Sequence, residues 1–159
     1  MKSRRCLLFL LLLASFLCGC ARETPVTPEQ QIRALLDRAE ATVEARDLSA
    51  AMDLISSDYR DAFGRNRSEM RRMLAGYFLR HQSIHLLKQV EQITLTDETM
   101  ARAVLFVGML GAQAGEVESI SQWRGDLVRL EVDLRLEADA QWRLYQASWR
   151  RASRGELLQ

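Results

Sequence analysis

The sequence predicts an α+β domain in which three N-terminal helices pack on one face of a curved antiparallel sheet of about four strands. Apolar residues recur at helical spacing between residues 28 and 80. After His81 the period shortens to two, and charged and apolar side chains begin to alternate. Helices come first and strands after, which is the order of an α+β chain.

Thr27-Pro28-Glu29-Gln30 opens the first helix. Thr27 suits the cap, Pro28 the first helical position, and Gln30 closes a capping box. Ile32, Leu35, Leu36, Ala39 and Val43 then form one apolar stripe. Asp47 is the expected cap of a second, shorter helix carrying Leu48, Met52 and Ile55, closed by Asp58-Tyr59. Asn66, with Glu69 three residues on, starts a third helix running to about Arg80. Its apolar face is Met70, Met73, Leu74, Tyr77 and Phe78.

Ile84 to Thr96 reads as a strand whose phase slips near Glu91, the mark of a bulge. Thr99 to Leu110 is apolar on both faces, as in a central strand of a covered sheet. Asp126 to Ala138 puts Val128, Leu130, Val132, Leu134 and Leu136 on one side. Arg129, Glu131, Asp133, Arg135 and Glu137 fall on the other, so one face is wet. Trp142 to Arg150 is the returning strand.

Upstream of the domain, MKSRR carries three positive charges and precedes an apolar run from Cys6 to Cys18. That layout is a secretory signal, and the run falls short of the roughly 20 apolar residues that span a bilayer. Leu17-Cys18-Gly19-Cys20 resembles the bacterial lipobox. The resemblance implies that residues 1–19 are removed and that Cys20 becomes an acylated first residue. An ordinary signal peptide is the simpler alternative, but it would leave Cys20 unpaired in an oxidising compartment. Residues 20–27 then form a lipidated tether, 28–152 the domain and 153–159 a C-terminal tail. Ala21 stands where an Asp would resemble an inner-membrane retention signal, so the expected location is the outer membrane, facing the periplasm.

Cleavage would remove Lys2, Arg4 and Arg5 and no acid, leaving 19 cations against 21 acids, a net charge of −2. Such a balance gives no electrostatic basis for binding nucleic acid.

The order of elements resembles the nuclear transport factor 2-like, or SnoaL-like, superfamily over about Thr27 to Arg151. The matching segments are ARDLSAAMDLISSDYRD, NRSEMRRMLAGYF and the late hairpin RLEVDLRLEADAQWRLYQASW. The resemblance implies a cone, with a bent sheet wrapped round helices and a cavity between them. It also implies a homodimer through the outer face of the sheet. The superfamily includes isomerase-type and dehydratase-type enzymes as well as binding modules, so function must come from the site.

Within that frame the chemistry-bearing residues are few. His81 and His85 are the only histidines. Their spacing of four suits a metal only on a continuing helix, and no third ligand accompanies them, so no metal is expected. His85 facing the cavity could act as a base; as a rim residue it has no such role. Asp58 and Tyr59 could polarise a carbonyl together, or simply turn the chain and pack a ring. Asp61 and Arg60 read as a solvated turn.

Trp123, Tyr59 and Phe106 are the candidate ligand contacts, while Trp142 and Trp149 look structural. Gly108, Gly111 and Gly115 are not followed by the Lys-Ser/Thr of a phosphate loop. Arg124-Gly125-Asp126 matches an adhesion tripeptide only as chance allows. No cofactor motif is present.

The expectation is therefore a membrane-anchored periplasmic lipoprotein whose domain binds a small apolar ligand or an envelope protein, without catalysis. The alternative is a cavity enzyme (isomerase, dehydratase or hydrolase) using Asp58, Tyr59 or His85. Replacing Cys20 by Ser should move the protein from the membrane to the soluble fraction on ultracentrifugation. Membrane retention of that variant would refute the lipobox assignment.

Overall fold

The computed structural model of the chain describes residues 26–110 and 127–157. Cys20 and Trp123 lie outside the described residues. Helix α1 (Pro28–Glu44) begins with the expected reciprocal cap. The Gln30 amide donates to Thr27 Oγ1 at 3.2 Å and the Thr27 amide to Gln30 Oε1 at 2.9 Å. The helix buries Ile32, Leu35 and Leu36. It ends at Arg46, a non-glycine residue at φ 55°. The Arg46 guanidinium donates to the carbonyls of Phe78 and His81, tying this turn to the far end of α3 (Arg67–Arg80).

Helix α2 (Leu48–Asp53) is capped by Asp47, whose carboxylate accepts from the Ala50 amide at 2.9 Å. It is shorter than expected. Ile55 through Asp61 form strand β1 instead, so Asp58 and Tyr59 lie on a strand and not at a helix end. The cause is remote in sequence. Arg67 donates to the carbonyls of Met52 (2.7 Å) and Ile55 (3.1 Å), and Arg143 to that of Asp53 (3.2 Å). The Leu144 amide takes the Leu54 carbonyl at 2.9 Å. The carbonyls that would have propagated the helix are thereby satisfied from outside it.

Asn66 caps α3 with the predicted reciprocal pair to Glu69. Strands β2 (His85–Leu95), β3 (Met100–Leu110), β4 (Leu127–Leu136) and β5 (Trp142–Arg151) follow. A one-turn helix, α4 (Arg154–Leu157), occupies the segment expected to be a tail. The sheet is five-stranded, in the order β1-β5-β4-β3-β2. It is mixed rather than purely antiparallel, because β1 runs parallel to β5 and covers that edge.

Register places apolar side chains in rows across the inner face. Val90 opposes Leu105, Leu105 opposes Leu130, and Leu130 opposes Trp149. Among the antiparallel pairings, two register shifts bend the sheet. One falls between Val90 and Gln92, at the predicted Glu91 position. The other falls between Asp133 and Leu134, opposite Tyr145 on β5. Helices α1 and α3 pack within the curve. At the N-terminal end of α1 the core is filled, with Ile32 fully buried and the buried Trp142 donating to Gln31 Oε1 at 3.1 Å.

The outer face carries the charges that alternation on β4 predicted. Arg102 holds Asp133 with two bonds of 2.7 and 3.0 Å, and Arg129 contacts Glu131 and Glu91. Replacing Arg67 by Leu keeps its apolar stem but orphans two carbonyls. It is expected to lower stability by about 2 kcal/mol, read as a lower urea midpoint at unchanged slope.

Candidate functional site

Between α1, α3 and the inner face of the sheet lies a cavity of about 400 Å³. Its wall is built by the predicted stripes. Leu35, Leu36, Ala39 and Val43 come from α1, Met70, Met73 and Leu74 from α3, and Leu130, Val132 and Leu134 from β4. Trp149 closes one side, and half-exposed Met73 marks where the wall approaches solvent. The volume falls in the range of small-molecule sites.

Among the described residues, Glu40, Thr42, Tyr59 and Lys88 bring polar side chains to this wall, beside the indole of Trp149. Thr42 donates its hydroxyl to the Ala39 carbonyl at 3.0 Å. Lys88 holds Asp37 at 2.5 Å and Glu40 at 3.1 Å, so its charge is matched. Tyr59 differs. Its side chain is 1 % exposed, and its hydroxyl is the one buried side-chain polar atom without a partner among the described residues. Burial, and then the negative charge of Asp61, push its pKa far above the usual phenol value. The hydroxyl therefore stays protonated and neutral.

Asp61 sets the conformation around Tyr59. The sequence reading made it a solvated turn residue, but it is 4 % exposed. Its carboxylate accepts the Phe63 and Arg65 amides, both at 2.9 Å, and Arg65 Nε at 2.6 Å. Gly64, at φ 78°, supplies the left-handed residue that this turn needs. Burial works against the Asp61 charge, yet the hydrogen bonds from Arg65 and Phe63 prevail and hold its pKa below the ordinary carboxylate value. The Arg65 guanidinium then lies 4.8 Å from the Phe63 ring and 5.1 Å from the Trp149 ring. One carboxylate thus fixes the cation that braces a cavity-wall tryptophan.

The other expected site residues are elsewhere. Asp58 is exposed and bonded to Arg135 at 2.8 Å, and that hydrogen bond and charge lower its pKa. His85 is exposed on β2, out of phase with the wall residues Leu86 and Lys88. His81 is exposed at the end of α3, its ring 4.3 Å from that of Tyr77. The structure therefore does not bring Asp58, Tyr59 and His85 together, and only Tyr59 reaches the cavity. Phe106 is buried, but it sits one residue out of step with Leu105 and Val107 and faces the opposite side of the sheet. Trp142 packs in the core as expected, whereas Trp149 forms part of the wall.

Sequence reasoning missed Asp61. Its signal was present, an Asp followed by Gly three residues on with an Arg next, a spacing that suits a side chain capping its own turn. Among the described residues, no group of three or more His, Cys, Asp or Glu is placed to hold a metal. Nor is any described helix long and apolar enough to cross a membrane.

No protein-family model matches the chain, and no curated protein matches it. Solved structures do. A ketosteroid isomerase-like protein from Erwinia carotovora atroseptica superposes with TM-score 0.57 at 14% identity, covering 84% of this chain and 98% of that one. A nuclear transport factor 2-like protein of unknown function from Shewanella oneidensis gives TM-score 0.58 at 14% identity, covering 77% and 98%. Bd1075 from Bdellovibrio bacteriovorus gives TM-score 0.61 at 9% identity, covering 78% of this chain and only 40% of that longer one. The chain has the nuclear transport factor 2-like fold that the resemblance implied. These identities speak to the fold alone.

Replacing Asp61 by Ala should cost about 2–4 kcal/mol at neutral pH, since it strips Arg65 and two amides of their acceptor. Because the folded pKa is lowered, this stabilisation is present above the unfolded carboxylate value near 4 and is lost as pH falls through the lower folded value. Urea titrations between about pH 6 and pH 2 should show the variant losing less stability on acidification than the wild type.

Proposed function

We propose that this chain is a lipid-anchored periplasmic protein whose cone-shaped domain binds a small apolar ligand and does not transform it. One observation carries the ligand reading. A cavity of about 400 Å³ has a described wall of mostly Leu, Val, Met and Trp, on which Thr42, Lys88 and Glu40 are already paired. The anchor rests on Leu17-Cys18-Gly19-Cys20 at the end of the signal-like segment.

The absence of catalysis rests on the separation of Asp58 and His85 from Tyr59. A neutral phenol with no base or relay beside it can donate a hydrogen bond, but it lacks a group to receive a proton in exchange. A reaction would need a second titrating group at the cavity, and the described wall offers only the matched Lys88–Glu40 pair.

Native mass spectrometry of the protein purified from a bacterial envelope tests the reading directly. The expected result is an adduct of a few hundred daltons, released by organic solvent. A ligand held at a hundredfold excess over its Kd should stabilise the fold by about 2.7 kcal/mol, raising the melting temperature by roughly 5–10 °C. A protein that carries no adduct, and whose melting is unmoved across a panel of apolar compounds, would refute it.

A further inference from the structure

We infer that the outward face of α3, continued by the Phe63–Arg65 turn, docks on an anionic lipid bilayer. The inference depends on neither the ligand nor the Cys20 anchor, so its failure would leave both standing.

Charge is unevenly placed along this chain. The whole chain carries a net +1, yet residues 60–80 hold six arginines against two acids, Asp61 and Glu69. Both acids are committed, Asp61 to Arg65 and the turn amides, Glu69 to the cap at Asn66. Arg71, Arg72 and Arg80 are exposed, and none of them meets an acid among the described residues. The exposed Arg102 on the sheet, by contrast, holds Asp133.

Apolar exposure gathers at the same place. Five large apolar side chains are exposed among the described residues, and three of them, Phe63, Met73 and Leu79, lie on α3 or in the turn before it. Leu79 is 86 % exposed and Phe63 67 %. At about 100° per residue, Arg72, Gly76 and Leu79 share one narrow face, opposite the buried Met70 and Phe78. Met73 and Arg80, about two turns apart, share one flank of that face, and Arg71 lies on the other. Beyond the helix, Arg65 Nη1 lies 3.5 Å from Met73 Sδ, and the same guanidinium lies 4.8 Å from the Phe63 ring. Cations and large apolar side chains thus interleave along one strip.

A bilayer surface matches both components at once. Guanidinium groups bind phosphate oxygens with two parallel hydrogen bonds, while apolar side chains enter the boundary between headgroups and acyl chains. An acidic protein face would satisfy the arginines, but it would also need apolar hollows in register with Leu79 and Phe63. Lipid offers both layers at every point. Met73 also lines the cavity, so docking brings that edge of the wall to the bilayer.

Vesicle co-sedimentation of the full-length Cys20→Ser protein, which lacks the proposed acylation site, tests the inference. The vesicles are phosphatidylcholine, alone or with about 30 mol % phosphatidylglycerol. Binding should require the anionic lipid and fall steeply as salt rises from about 0.05 M to about 0.5 M. A cation beside an anionic surface contributes about fivefold, so Arg72→Ala with Arg80→Ala should weaken binding about 25-fold. Leu79→Ser should weaken it about threefold to tenfold. Two controls make the same changes elsewhere: Arg33→Ala with Arg38→Ala on α1, and Leu95→Ser at the end of β2. Each should stay within about twofold of the parent. In the wild-type protein, amide hydrogen exchange in α3 should slow with anionic vesicles and not with neutral ones, which sites the contact without altering the face. Equal binding to both vesicles, equal losses for the two double variants, or unchanged exchange in α3 would overturn the inference. Failure to bind anionic vesicles would also overturn it, and would turn this face toward an acidic protein.

Discussion

Two guanidinium groups from distant parts of the chain take carbonyls at the end of α2 and at the first residue of β1. Arg67 holds those of Met52 and Ile55, and Arg143 holds that of Asp53. With these acceptors occupied the chain leaves the helical path and runs as β1 beside β5. Much follows from that change of direction. Tyr59 turns inward and Asp58 outward, because a strand alternates where a helix would not. Asp61 arrives buried at the end of β1, closes its own turn and orients Arg65 across Phe63 and Trp149. The cavity wall near Tyr59 thus depends on two arginines that do not line it.

The two faces of the sheet solve different problems. On the inner face, α1 and α3 approach a bent sheet without filling the space between them. Side chains that line this space lack packing partners on one side, so an occupant that fills it would stabilise the folded chain. On the outer face, pairs such as Arg102–Asp133 are exposed and individually weak. Their longer value is cover. Phe106 lies between Gln89 and Arg129 in the register, and it is only 3 % exposed.

What could be read beforehand was what local sequence decides. The caps at Thr27, Asp47 and Asn66 depend on residues three positions away, and each formed as read. The bulge at Glu91 showed as a break in alternation within one segment. Strand β1 was not legible, because Leu48, Met52 and Ile55 satisfy helical spacing and only Arg67, Arg143 and β5 overrule it. Tyr59 was picked out, but with the wrong neighbours, since consecutive residues on a strand point to opposite faces. Phe106 was misassigned because β3 is apolar on both sides, and such a strand conceals which parity faces inward.

Helix α1 also gives the molecule a direction. It starts at the solid end of the core, where Gln31 meets Trp142, and finishes among the cavity residues Glu40, Thr42 and Val43. Its 17 residues span about 25 Å. Followed from Thr27, the chain therefore reaches the filled end of the domain first and the cavity only after about two helical turns, at Leu35.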